Sequence, residues 1–237
     1  EIGVRLVGSE MCIRDRYMAP GAIPILLLRL FGIKNIIATA HTAADIYPNL
    51  KLVHFIQRYC VRVFTCITQV AEMSFFGKSN LYTQKTVIQK VNHFTIYNVL
   101  PSYIKIREEQ RDFSSPVTLG VVGRLEKIKG GDLVIPAFVR IKERYPETRL
   151  LIVGDGSLKA FMQQQAKDLH VSEYITWVGR KDQSQLQAYY DKIHVLLIPS
   201  RSEGFGLTAI EGMARGCVVI ALSLIHISEP TRRTPIS

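Results

Sequence analysis

Ser200 to Gly216, SRSEGFGLTAIEGMARG, sets a carboxylate on each side of a Gly-Phe-Gly turn: Glu203 before it and Glu211 inside the stretch that follows. Gly204 and Gly206 let the backbone come close to a ligand, and Phe205 between them can pack beneath it. A helix opening at Leu207 would aim its free N–H groups and the positive end of its dipole at one spot, which suits an anion. A carboxylate accepts two hydrogen bonds from adjacent hydroxyls of a sugar ring, so acids on both sides of an anion site suit a ligand with a sugar at each end of a diphosphate. Upstream, GVVGRLEKIKGG puts Arg124 at the end of an apolar run and Lys129 five residues later. An Arg fork and a compact Lys charge are the pair a diphosphate calls for. The plainer alternatives are solvated loop charges for Arg124 and Lys129, a helix cap for Glu203 and a surface helix residue for Glu211.

The elements that must hold these residues alternate short apolar runs with amphipathic ones, the pattern of parallel βα units. In the second half VTLGVVG, RLLIVGD, YITWVG, VLLIPS and CVVIA read as strands. Between them GDLVIPAFVRIKERY, SLKAFMQQQAKDL, QSQLQAYYDKI and LTAIEGMARG read as helices, which describes a doubly wound parallel sheet. The predicted strands end in Gly123, Gly154, Gly179 and Ser200, so the ligand is expected at the carboxyl edge. In the first half KNIIATA, VFTCIT and HFTIYNV read as strands, and NLKLVHFIQRYCV and QVAEMSFFGK as helices. The Pro, Ser and mixed-charge stretch LPSYIKIREEQRDFSSP reads as a linker.

The two ends of the chain stand apart. Back-translated, Leu222–Ser237 has a reverse complement that reads EIGVRRVGSEMCIRD, against EIGVRLVGSEMCIRD at the N-terminus, with Leu6 the one difference. The DNA core resembles the transposase mosaic end of sequencing libraries, so residues 1–16 and 222–237 are expected to be adapter-derived. The tails hold five Lys/Arg and four Asp/Glu, which takes the formal charge from +10 to +9. Cys60, Cys66 and Cys217 remain, an odd number without a CxxC pair, which fits reduced cytoplasmic thiols. The run GAIPILLLRLFGIKNII is too short and too charged to span a bilayer.

In order, VGRLEKIKG, IVGDG, WVG and IPSRSEGFGLTAIEGMARG resemble the C-terminal half of the GT-B glycosyltransferases of the retaining family-4 type, whose signature is the E-x7-E pair Glu203 and Glu211. The resemblance runs from about Val117 to Ala221. It implies a GT-B fold of two Rossmann-like doubly wound parallel-sheet α/β domains, both incomplete here: residues 17–110 as the acceptor-side domain with its linker, and 111–221 as the nucleotide-sugar domain. It implies that Arg124 and Lys129 hold the donor diphosphate and stabilise the leaving group. Gly204, Phe205, Gly206 and Leu207 would cradle phosphate and sugar, with Glu203 on the donor sugar's hydroxyls and Glu211 on the ribose. Trp177 to Arg180, with Gly179, would lie along the base. NIIATAHTAAD more loosely resembles a strand leading to a cleft histidine, which places His41 by the transferred sugar. Gly212 replaces the Ala usual after the second acid, and Asn98-Val99 the usual Asn-Gly.

The implied activity is transfer of a sugar from a nucleoside-diphosphate sugar with retention, in polysaccharide or glycolipid synthesis, by a parent protein of which this chain is an inactive fragment. No Asp-x-Asp pair occurs in 17–221, so no metal and no cofactor are expected. A nucleotide-sugar epimerase shares the architecture. A phosphorylase would need a cofactor lysine, and VGDGSLK lacks the third glycine of a dinucleotide fingerprint. Residues 17–110 carry ten Lys/Arg against four Asp/Glu, which suits a basic module at an anionic membrane, or a peripheral contact with a lipid-linked acceptor. No nucleic-acid motif accompanies that charge.

Overall fold

The structure is a computed structural model that describes residues 3–7, 10–15, 18–41, 44, 49–83, 91–113, 116–201, 203 and 205–222. It divides into two compact units that meet in sequence at Asn98 and Val99.

Among the described residues of the first unit, five strands form one sheet in the order β1 (Gly3–Val7), β2 (Glu10–Asp15), β3 (Ile36–Ala40), β4 (Val63–Cys66), β5 (His93–Thr95). β1 pairs antiparallel with β2 and the other pairs are parallel. The segment read as adapter-derived therefore supplies two strands. A free strand edge offers N–H and C=O groups to any extended backbone, whatever its side chains. Among the described residues three helices accompany the sheet: α1 (Met18–Leu30), α2 (Leu50–Phe55, running on as a π-turn Ile56–Cys60) and α3 (Gln69–Phe76). Ile25, Ile36, Ile56, Phe64 and Phe75 fill the core. Glu72 of α3 is fully buried and accepts hydrogen bonds from the Thr95 hydroxyl at 2.6 Å and the Asn80 backbone N–H at 3.0 Å. His93 Nδ1 lies 2.5 Å from the same carboxylate, so a satisfied polar cluster fixes α3 to β5.

In the second unit β6 (Thr118–Val122), β7 (Arg149–Val153), β8 (Ile175–Gly179), β9 (Val195–Ile198) and β10 (Val218–Ala221) form an all-parallel sheet ordered β10-β9-β6-β7-β8 among the described residues. Counted along the chain this is a 3-2-1-4-5 order, with the reversal between β6 and β9. The connecting helices are α4 (Gly131–Arg144), α5 (Lys159–Asp168), α6 (Leu186–Tyr190, entered through a 3-10 turn Gln183–Gln185) and α7 (Leu207–Ala214). Ile135 and Phe138 of α4 and Ile152 of β7 are fully buried in one core cluster. Each contributes about 1.5–3 kcal/mol by leaving water. Every strand and helix expected between Thr118 and Ala221 forms. The helix expected across QSQLQAYYDKI is shortened, because its first turn closes as a 3-10 turn capped by Asp182.

Candidate functional site

In an open parallel sheet, helices leave opposite faces on the two sides of the strand-order reversal, which opens a crevice at the carboxyl ends there. A cavity of about 50 Å³ occupies that place, lined by the ends of β6 and β9 and by Gly123, Arg124, Lys129, Ser200, Glu203 and Thr208. The strand tip, the basic loop and the first turn of α7 thus meet at one spot.

The loop after β6 owes its path to two local features. Leu125 is buried and its N–H donates to Asp155 O at 3.0 Å, which ties the loop to the strand beside it. A 3-10 turn, Lys127–Lys129, follows and ends on Gly130 at φ 71°. A Cβ on Gly130 would stand 1.9 Å from Pro199 O, so only glycine lets the loop lie against the end of β9. From the other side Arg201 forms a fork on Asp132, at 2.7 and 2.8 Å, and donates to Lys127 O at 2.5 Å. The Arg201 guanidinium holds the Asp132 carboxyl below its ordinary range. Arg201 therefore staples the basic loop to the segment that carries Glu203.

Within the cavity Lys129 Nζ lies 2.8 Å from Glu203 Oε1, and the same oxygen accepts from Ser200 Oγ at 2.6 Å. The two side chains are 27% and 16% exposed, so this ion pair is partly sheltered. Arg124 is exposed at the rim. α7 opens on Gly206 at φ 74°, and Thr208 of its first turn faces the cavity. Phe205 and Leu207 are half-buried beside that opening, and Gly204 lies outside the described residues.

Glu211 does not line the cavity. It is 5% exposed, with the Tyr103 hydroxyl donating to Oε1 at 2.9 Å and the Tyr190 hydroxyl to Oε2 at 2.7 Å. Burial, reinforced by the carboxylate, pushes the Tyr103 phenol up to about 12 and the Tyr190 phenol higher still. Gly212, next to it, is fitted to its place: a Cβ there would stand 2.4 Å from Leu196 Cδ2. Gly179 ends β8, two strands from β6, and with Arg180 lies off the cavity wall. His41 belongs to the first unit, directly after β3 and half-buried. Arg201, Thr208, Tyr103 and Tyr190 escaped the sequence reading, which took Ser200 only as a strand end. Ser200 and Arg201 adjoin Glu203, but the two tyrosines reach Glu211 only through the fold.

The model of the family described as Glycosyl transferases group 1 matches residues 102–227, just over half of the chain. The chain belongs to the group 1 glycosyl transferases. This group 1 transferase is 32% identical over 120 residues to the glycogen synthase of Mycobacterium tuberculosis H37Rv, a match covering 51% of the chain and 29% of that protein. It is 26% identical over 155 residues to the gpi3 subunit of the Schizosaccharomyces pombe phosphatidylinositol N-acetylglucosaminyltransferase, covering 64% of the chain and 34% of that protein. The chain therefore spans about a third or less of the curated relatives it matches. Its fold is similar to that of Anabaena HepE, solved with UDP, at a TM-score of 0.64 and 16% identity, over 89% of this chain and 59% of that one. The pneumococcal O-GlcNAc transferase GtfA, solved with UDP and GlcNAc, gives 0.61 and 19%, over 89% and 41%. The structural neighbours are GT-B glycosyltransferases, and the two α/β sheets, parallel except for the edge strand β1, are of that type.

Proposed function

We propose that the protein transfers a sugar from a nucleoside-diphosphate sugar to a hydroxyl acceptor with retention, as a family-4 enzyme of polysaccharide or glycolipid synthesis. The observation that carries this reading is the convergence of Arg124, Lys129 and the first turn of α7 on one cavity at the strand-order reversal. The two cations and the helix amides would hold the diphosphate and offset its charge as the anomeric C–O bond breaks, without a metal ion. The acceptor oxygen bonds to the anomeric carbon on the side the diphosphate leaves. Its proton passes to the leaving phosphate oxygen, and a nucleoside diphosphate is released. Glu203 holds the donor sugar's hydroxyls, Glu211 the ribose, Gly179 and Arg180 flank the base, and His41 serves the transferred sugar. That HepE and GtfA were solved with UDP supports a nucleotide-sugar donor. The test is calorimetric binding of UDP, ADP and GDP to the full-length protein, with nucleotide release assayed from the matching sugars. Arg124→Ala should weaken nucleotide binding about tenfold or more. Unchanged affinity would remove the phosphate assignment, and conversion of the donor to an isomeric nucleotide sugar, without acceptor and without net nucleotide release, would favour epimerase chemistry.

A lipid-linked acceptor at the inner face of the cell membrane fits a feature of the first unit. Ile23, Leu27, Leu30 and Phe31 recur along one side of α1 and its end, with exposures of 63, 47, 81 and 81%. Arg29, Lys34, Lys51 and Arg58 are exposed on or near the same helices. Between Met18 and Ala71 the sequence carries a single acidic residue, Asp45. Such a surface suits anionic lipid. No helix among the described residues is long and apolar enough to cross a membrane. Sedimentation should then require anionic liposomes and weaken with salt and with Leu30→Asp; salt-insensitive or absent binding would end this reading.

A further inference from the structure

Glu211 presents a conflict that the fold itself resolves. An acid that takes ribose hydroxyls must be reachable, yet this carboxylate is 5% exposed and has a phenol on each oxygen. The two phenols differ in kind. Tyr190 is fully buried on α6 and approaches from the interior. Tyr103 is half-buried and comes from the loop that opens the second unit, so it is the phenol nearer to solvent.

We propose that Tyr103 is a latch: its hydroxyl occupies the place of a ribose hydroxyl on Glu211 Oε1 and must swing away before a nucleotide seats. This rests on reading Glu211 as the ribose acceptor. The loop around Tyr103 is built for a side-chain movement rather than a backbone one. Ile104 is buried and its N–H closes a turn onto Pro101 O at 2.9 Å. Lys105 N–H donates to Gln187 Oε1 on α6 at 2.9 Å, and Arg107 N–H to Ala214 O on α7 at 2.7 Å. Arg215 Nη1 returns a bond to Lys105 O at 2.7 Å. With the backbone pinned to both helices, rotation about the Tyr103 side-chain bonds is the freedom that remains. The exchange conserves hydrogen bonds, since the ribose hydroxyl replaces the phenol on Oε1 and the phenol turns to water. Tyr190 keeps Oε2 engaged throughout, which holds the carboxylate's orientation during the exchange.

A latch lowers apparent affinity by the fraction of time it is open. One hydrogen bond of ordinary net strength holds it closed about four-fifths of the time, a roughly fivefold effect. The experiment is titration calorimetry on the full-length protein and its Tyr103→Phe variant with three probes: UDP, 2′,3′-dideoxy-UDP and inorganic pyrophosphate. The expected result is UDP binding about fivefold tighter in Tyr103→Phe with pyrophosphate binding unchanged, which also shows that the cavity is intact. UDP binding that is unchanged or weaker in the variant overturns the latch, and weakening of both ligands makes Tyr103 a structural residue. The two readings separate in the wild type. If dideoxy-UDP binds as well as UDP, the ribose role falls and the latch with it. If the ribose hydroxyls matter and Tyr103→Phe gains nothing, the latch alone falls.

Discussion

Replacing Lys129 by Met keeps the length of the side chain and removes its charge, and the structure gives that change two consequences. The first is loss of a cation that faces the diphosphate site. A hydrogen bond from a charged donor to a charged acceptor contributes about 1.5–3 kcal/mol. The second is that Glu203, whose side chain is 16% exposed, loses Lys129 and keeps the Ser200 hydroxyl. At a separation of ~7 Å and an effective dielectric of ~20, that negative charge repels a phosphate charge by about 2 kcal/mol. Together the two effects, about 3.5–5 kcal/mol, weaken nucleoside-diphosphate binding by roughly 400- to 5,000-fold. Titration calorimetry with UDP checks the sum, and Glu203→Gln on the Lys129→Met background checks its parts. The double variant should regain about 10- to 30-fold, because the repulsion is gone and the lost cation is not. Because Lys129 is 27% exposed, its effect should survive added salt better than that of Arg124 at the rim. The reasoning fails if Lys129→Met stays within threefold of wild type, or if Glu203→Gln has the same effect on both backgrounds.

Gly130→Ala should destabilise the second unit by at least about 2 kcal/mol, since a left-handed conformation costs an L-residue about 1–2 kcal/mol and the new methyl also meets Pro199 O. Gly77→Ala, at φ 68° with open space around it, isolates the conformational part and should cost about 1 kcal/mol; urea unfolding midpoints compare the two. His194 accepts a hydrogen bond from Thr118 N–H at 3.0 Å, and burial, then the Arg111 charge, lowers its pKa from 6.5. The folded state therefore binds fewer protons than the unfolded one, so this contribution is present above about pH 6.5 and is lost as pH falls through the folded value. Thermal unfolding between pH 7.5 and 5 should show the decline, and His194→Gln should flatten it.

The chemistry at the strand-order reversal was largely legible in the chain. Val121 and Ile152 sit in strands buried on both faces, and such strands appear in sequence as short apolar runs closed by small residues. Because parallel strands carry their ligand groups at their carboxyl ends, the residues that follow the runs, Arg124 and Glu203, could be named before any coordinates. Local rules reached no further than one βα unit. The 3-2-1-4-5 order, which brings the end of β6 beside the end of β9, depends on how whole sheets pack, and with it the Lys129–Glu203 pair. Arg201 on Asp132 joins residues 69 positions apart, and Tyr103 on Glu211 residues 108 apart. No periodicity encodes such contacts, because their geometry is the sum of every intervening turn. The identities of the charged groups were thus written in the chain. Which of them face the cavity, and which are held beneath it by tyrosines, was decided by the packing of α6 and α7 on the sheet.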